Sequence, residues 1–208
     1  MLEDLHDHPN RIEAAHTPRA AGLAKSWARP TGTVTFLFTD IEGSTRLWDD
    51  QGDVMAVALA RHDEIVLGAI EAHDGYVFAT GGDGFCAAFQ WAIDAVAAAV
   101  AAQRLLRQEP WVNGVALAVR MGLHTGSAQE RNHDYYGPTV NRAARIMGKA
   151  HGGQILAGSG TAGLVAGVES IELIDLGEHL LRDLSNPMWL FQVSAPGLAC
   201  ATSLMLIH

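Results

Sequence analysis

Four residues stand out in the sequence for the chemistry their types and spacing allow. Asp40 ends the alternating run TVTFLFTD, and the turn IEGST follows it. A carboxylate delivered by a strand end can reach a divalent cation, and the backbone N–H groups of Glu42, Gly43, Ser44 and Thr45 at a helix start suit phosphate oxygens. The same residue types also make an ordinary helix N-cap. Asp83 sits among glycines in VFATGGDGFCAAF. There it either shapes an Asp-Gly hairpin or offers a carboxylate to a metal in space that the glycines keep clear. Two such carboxylates brought together would repel unless a cation lay between them. Asn141 and Arg145, four apart in GPTVNRAARIMGKA, project from one helix face. An amide there can orient a sugar oxygen, and a guanidinium can meet charge growing on phosphorus. A solvated polar helix face has the same pattern.

The elements that must position these residues follow from periodicity. TVTFLFTD reads as a strand, and Met55, Leu59, His62, Val66 and Ile70 recur at helical spacing after it. A hairpin over YVFATGGDGFCAAF, a helix from about Ile93 to Gln108, and a strand alternating from Val115 to Leu123 come next. SAQERNHD is a polar connection, and GPTVNRAARIMGKA is a helix with Pro138 in its first turn. GQILAG, SIELIDLG and LFQVSA are short strands, with a brief helix opening at Ser159. The order predicts an α+β fold: a ferredoxin-like βαββαβ core, a mostly antiparallel sheet with helices on one face, and extra strands at the C-terminal end.

Composition bounds the class. The 208 residues suit one domain, with a tail over residues 1–30, the domain itself over 31–195 and a second tail over 196–208. A net charge of −9 argues against a nucleic-acid surface, which needs a basic stripe. Cys86 and Cys200 are too few for a disulfide framework or a Cys-type zinc site. The Ala-rich tract AIDAVAAAVAA is too short to span a bilayer, and the acidic N-terminus lacks a signal-peptide pattern. A cytoplasmic protein without a membrane partner is the expectation.

FLFTDIEGSTRLW, TGGDGFCAAF and DYYGPTVNRAARI, in this order and spacing, resemble the class III adenylate/guanylate cyclase catalytic domain. The resemblance runs from about Thr33 to Val193, including DLGEHLLRDL, and points to a stand-alone bacterial member. It implies that Asp40 and Asp83 match the family's two metal-binding aspartates, with the carbonyl of Ile41 as a further ligand. Two divalent ions, Mg²⁺ or Mn²⁺, go with them. Asn141 and Arg145 match the pair that orients the ribose and stabilises the transition state. Asp134 matches the base-reading position, and Arg182 lies near a phosphate-binding basic residue. The implied reaction makes cyclic AMP from ATP, at a site shared across a head-to-tail homodimer. Metal ligands would come from one protomer and Asn/Arg from the other.

One position departs from the pattern. Members of this type usually carry a Lys four residues before the second metal aspartate, where this chain has Ala79. Its only lysines are Lys25 and Lys149. Asp134 still accepts from an adenine amine and would repel a guanine carbonyl, which favours ATP over GTP. The gap also leaves open a degenerate homologue that dimerises or binds nucleotide with little turnover. Tyr135 and Tyr136 are candidates for the base pocket or a dimer seam.

Overall fold

A computed structural model describes residues 29–131 and 134–198. The expected tails over 1–28 and from 199 onward lie outside the described residues. Strand β1 (Thr33–Ile41) leads into helix α1 (Ser44–Ala72), which kinks at Gln51, where the backbone leaves helical geometry. Met55, His62, Val66 and Ile70, four of the five positions read as the helix's apolar stripe, are buried along it. The hairpin β2 (Tyr76–Gly81) and β3 (Gly84–Phe89) follows, then α2 (Ala92–Gln108) and β4 (Val119–Ser127). Beyond these come β5 (Gln129–Arg131), β6 (Asp134–Tyr136), α3 (Pro138–Met147), β7 (Ile155–Gly158), α4 (Ser159–Val165), β8 (Glu172–His179) and β9 (Met188–Ser194).

Seven strands form one sheet in the order β2-β3-β1-β4-β7-β9-β8. Only β4 and β7 run parallel. The first four strands have the ferredoxin-like arrangement that the sequence predicts. The alternating run from Val115 is shorter as a strand than its pattern implies. Val115 and Leu117 are buried, yet the ladder begins only at Val119, opposite Ile41. A strand needs a partner, and β1 turns away at Glu42, whose N–H takes the Ala118 carbonyl at 2.9 Å. The polar connection SAQERNHD contains structure of its own: β5 and β6 pair as a two-stranded ribbon.

Side-chain alternation gives the sheet two different faces. Leu37, Ile41, Ala87, Phe89, Met121 and Leu123 point to one, where α1 and α2 cover them and α4 adds Val165. Val34, Phe36, Phe38 and Ala88 point to the other, against Ala143 of α3. The helices expected on one face are therefore divided, with α3 alone on the second. Its docking depends on small residues in β4. A Cβ at Gly122 would lie 2.2 Å from the Met147 backbone nitrogen, and one at Gly126 would lie 2.9 Å from Thr139. An aromatic cluster of Phe36, Phe78 and Tyr135 fills the rest of this face, with edge-to-face ring separations of 5.1–5.8 Å. Tyr135 is a core residue rather than a pocket or seam residue: it is 2% exposed, and its hydroxyl donates to the Pro30 carbonyl. No helix among the described residues is long and apolar enough to cross a membrane.

His124 lies under α3, and its Nδ1 is buried without a hydrogen-bond partner. Burial, with Arg142 nearby, pulls its imidazole down to about 4. On unfolding it returns to its ordinary value of 6.5. Between those values the unfolded chain takes up a proton that the folded chain refuses, so stability contributed above the unfolded value is lost as pH falls. Chemical denaturation across this window should show wild type losing stability on acidification. His124→Gln should flatten that slope, and an unchanged slope would count against the assignment.

Candidate active site

Asp40 and the tip of the β2–β3 hairpin come together at the end of β1. Asp40 is on the same sheet face as Phe36 and Phe38, four and two residues before it, and therefore on the face that α3 covers. The β1–β4 register sets it opposite Arg120. Arg120 donates to Asp40 Oδ2 from Nε at 2.7 Å and approaches the same oxygen with Nη2 at 2.5 Å. The hairpin closes on the same place. A Cβ at Gly84 would lie 2.2 Å from the Thr39 carbonyl oxygen, and the Phe85 N–H donates to Thr39 Oγ1 at 3.0 Å. Continuing the β1–β3 ladder beyond Phe38↔Cys86 puts Gly84 opposite Asp40, with Asp83 next to it.

Asp83 Oδ2 is buried without a hydrogen-bond partner. A carboxylate oxygen left this way is costly unless something outside the chain pairs with it. Such an oxygen at the hairpin tip, near the strand end that carries Asp40, suits a hard divalent cation, which takes one or two protein carboxylates together with ligand oxygens. Ile41 can offer only its backbone, because its side chain is 1% exposed in the first-face core. Among the described residues no group of three or more His, Cys, Asp or Glu side chains could hold an ion unaided.

The turn after Asp40 differs in one respect from its sequence reading. Gly43 is left-handed (φ 72°) and caps α1 without a side-chain bond. Leu47 is the first residue to donate to the carbonyl four back, that of Gly43. The N–H groups of Ser44 and Thr45 thus precede the helix ladder and suit an anion. Glu42 does not belong with them, because the Ala118 carbonyl occupies its N–H.

The second group of residues lies on and beside α3. Ala143 and Ile146 are buried, which turns Asn141 and Arg145 outward. Arg145 pairs with Asp183 at 2.7 Å, and Arg182 Nε comes within 3.6 Å of the same oxygen. Arg145, Lys149 and Arg182 line a cavity of about 460 Å³ together with Leu180 and Leu181. Among the described residues Arg145 and Arg182 of this cavity pair with Asp183 rather than with Asp40 or Asp83. Arg120 and Asp183 are the two charged partners that sequence reasoning missed. Inward Val119 and Met121 turn Arg120 onto the face of Asp40, so the alternation alone could have revealed it.

The base-side residues converge at the edge of the sheet. A bulge between Val77 and Ala79 sets Ala79 opposite Cys86, on the α3 face. Burial, aided by the nearby Asp134 carboxylate, pushes the Cys86 thiol up to about 12. Asp134 opens β6, beside Tyr135, whose ring packs 5.1 Å from that of Phe78 in β2. One Asp134 oxygen accepts from the Tyr135 N–H at 2.7 Å.

Residues 27–193 match the family model of the adenylate and guanylate cyclase catalytic domain. The chain belongs to this family. An uncharacterised protein of Mycobacterium tuberculosis is 43% identical over 179 residues, which cover 84% of this chain and 60% of that protein. The adenylate cyclase of Lachancea kluyveri is 33% identical over 178 residues, covering 74% of this chain and 10% of that enzyme. The chain thus spans only part of the length of these curated relatives. A solved adenylate cyclase from Trypanosoma brucei, described in its monomeric state, superposes with a TM-score of 0.76 at 28% identity, covering 83% of this chain and 94% of that one. The adenylyl cyclase CyaB of Pseudomonas aeruginosa superposes at 0.69 with 25% identity, covering 81% and 97%. A guanylate cyclase domain from Catenaria anguillulae, at 20% identity, shares the fold.

Gly84 gives a direct test of how the carboxylates are placed. Gly84→Ala forces a methyl group onto the Thr39 carbonyl, and overpacking of this kind costs about 1–3 kcal/mol. Urea denaturation should show a loss in that range. A neutral substitution would contradict the close approach of β3 to β1.

Proposed function

We propose that the domain converts ATP to 3′,5′-cyclic AMP and pyrophosphate at a site shared between two copies. The observation that supports this reading is the buried, unpartnered Oδ2 of Asp83, next in the chain to Gly84, which packs against the end of β1. Two divalent ions, Mg²⁺ or Mn²⁺, held by both carboxylates and the Ile41 carbonyl, would supply Lewis acidity toward the ribose 3′-hydroxyl and the triphosphate. The N–H groups of Ser44 and Thr45, beside Gly43, receive phosphate oxygens. The 3′-oxygen attacks the α-phosphorus in line, the α–β bridging P–O bond breaks, and the hydroxyl proton passes to solvent or to a phosphate oxygen.

Asn141 orients the ribose, and Arg145 meets the negative charge that builds on the α-phosphoryl group. Arg182 adds positive charge for the leaving pyrophosphate. For these groups to reach a phosphate, the Arg145–Asp183 pair must open. Both side chains are largely exposed, and such pairs are worth about 0–1 kcal/mol. Among the described residues Arg145 pairs with Asp183 rather than with Asp40 or Asp83, and in this reading a second copy supplies Asn141 and Arg145. Asp134 accepts from the adenine amine at the edge where Ala79 offers no side-chain donor, so ATP is favoured over GTP by one group rather than two.

Purified protein incubated with ATP and Mn²⁺ should form cyclic AMP, and Asp40→Ala should not. Product from neither would support the degenerate homologue. Activity per molecule should rise with protein concentration as copies associate; a flat profile at dilution would argue against the shared site. Arg145→Ala should lower kcat by roughly 10²–10³-fold with little change in KM, and a loss under threefold would remove Arg145 from this role. With GTP in place of ATP, the Mn²⁺ assay should yield less cyclic product. Ala79→Lys should widen that difference, and a ratio that does not move would place the base elsewhere.

A further inference from the structure

We infer that Arg120 is the built-in counter-ion of the metal site, holding Asp40 until a divalent cation arrives and competing with that cation for it. This deepens the functional reading above and rests on Asp40 and Asp83 being metal ligands.

The geometry is specific. Both guanidinium contacts, at 2.7 and 2.5 Å, fall on one carboxylate oxygen, Oδ2. The cross-strand register Asp40↔Arg120 makes the contact a product of the β1–β4 ladder rather than of a chance side-chain reach. The pair is partly buried, at 30% and 25% side-chain exposure, so solvent screens it less than the Arg145–Asp183 pair at 41% and 62%. Asp83 has no equivalent: its buried Oδ2 has no partner. The two carboxylates thus share one compensating positive charge, and it sits on the Asp40 side.

That arrangement makes two opposed contributions. Arg120 relieves carboxylate repulsion in the metal-free chain and keeps Asp40 in one orientation. It also places a positive charge beside the position a divalent ion would take, which weakens that ion's binding. In the nucleotide-free protein the second effect dominates, because β1 already fixes the Asp40 backbone. Arg120 is a positioning residue in this account.

The test is Mn²⁺ binding to the full chain without nucleotide, followed by electron paramagnetic resonance and by thermal unfolding in EDTA and in Mn²⁺. Arg120→Met should bind Mn²⁺ at least about fivefold more tightly than wild type, as expected when a like charge is removed from a cation site. It should also melt lower in EDTA and gain more from added Mn²⁺. Arg120→Lys, which keeps the charge without the fork, should stay close to wild type. If the Met variant does not fold, Arg120→Gln carries the same expectation. Unchanged or weaker Mn²⁺ binding in the charge-removing variant overturns the inference while leaving the functional reading intact. Wild-type protein whose Mn²⁺ binding is absent, or does not depend on Asp83, overturns both.

Discussion

The constraint on which the candidate site depends lies between the start of β3 and the end of β1, where Gly84 packs against the Thr39 carbonyl. Only a residue without a side chain fits there, and the Phe85 N–H bond to the Thr39 hydroxyl fastens the contact. The contact carries the tip of the hairpin to the end of β1 and so sets Asp83 beside Asp40. Much of the surrounding structure serves or compensates that placement. Arg120 faces Asp40 across the ladder, left-handed Gly43 turns the chain into α1, and the first turn of α1 leaves N–H groups nearby.

The two faces of the sheet divide their tasks. The first buries a continuous apolar layer against α1 and α2, holds none of the candidate site side chains, and supplies most of the burial that keeps so small a domain folded. The second carries Asp40, Ala79, Cys86 and α3 over a smaller aromatic cluster. Polar groups concentrate where less apolar surface has to be covered, and glycines at positions 122 and 126 let α3 sit close to β4 despite that. Asn141 and Arg145 consequently stand on a helix seated firmly against the sheet rather than on a loop.

Much of this was legible in the sequence because strand alternation and helical spacing are strong signals. The βαββαβ order, the hairpin around Asp83 and the outward pairing of Asn141 with Arg145 all follow from local pattern. What was not legible depends on who neighbours whom. Val115 and Leu117 alternate as a strand does, but β1 has already turned away and leaves them unpaired. Glu42 belongs to a helix-start motif, yet Ala118, far along the chain, takes its N–H. The separation of α3 from the other helices is equally invisible locally, since an apolar stripe says that a face is buried but not against which side of the sheet. Asp183 pairs with Arg145 through a loop whose path no periodicity specifies.

The bulge at Phe78 has a consequence for how such a domain can change over time. In an unbroken ladder Phe78 would oppose Cys86, and Ala79 would oppose Phe85. The bulge leaves Phe78 unpaired, moves Ala79 opposite Cys86 and brings Thr80 opposite Phe85. Downstream of it, Thr80↔Phe85 and Gly81↔Gly84 hold the hairpin tip in place. A single unpaired residue thus separates the strand position of Ala79 from the hairpin tip that carries Asp83. A lineage could change the side chain at position 79, or slide the bulge, and inherit the placement of Asp83 intact.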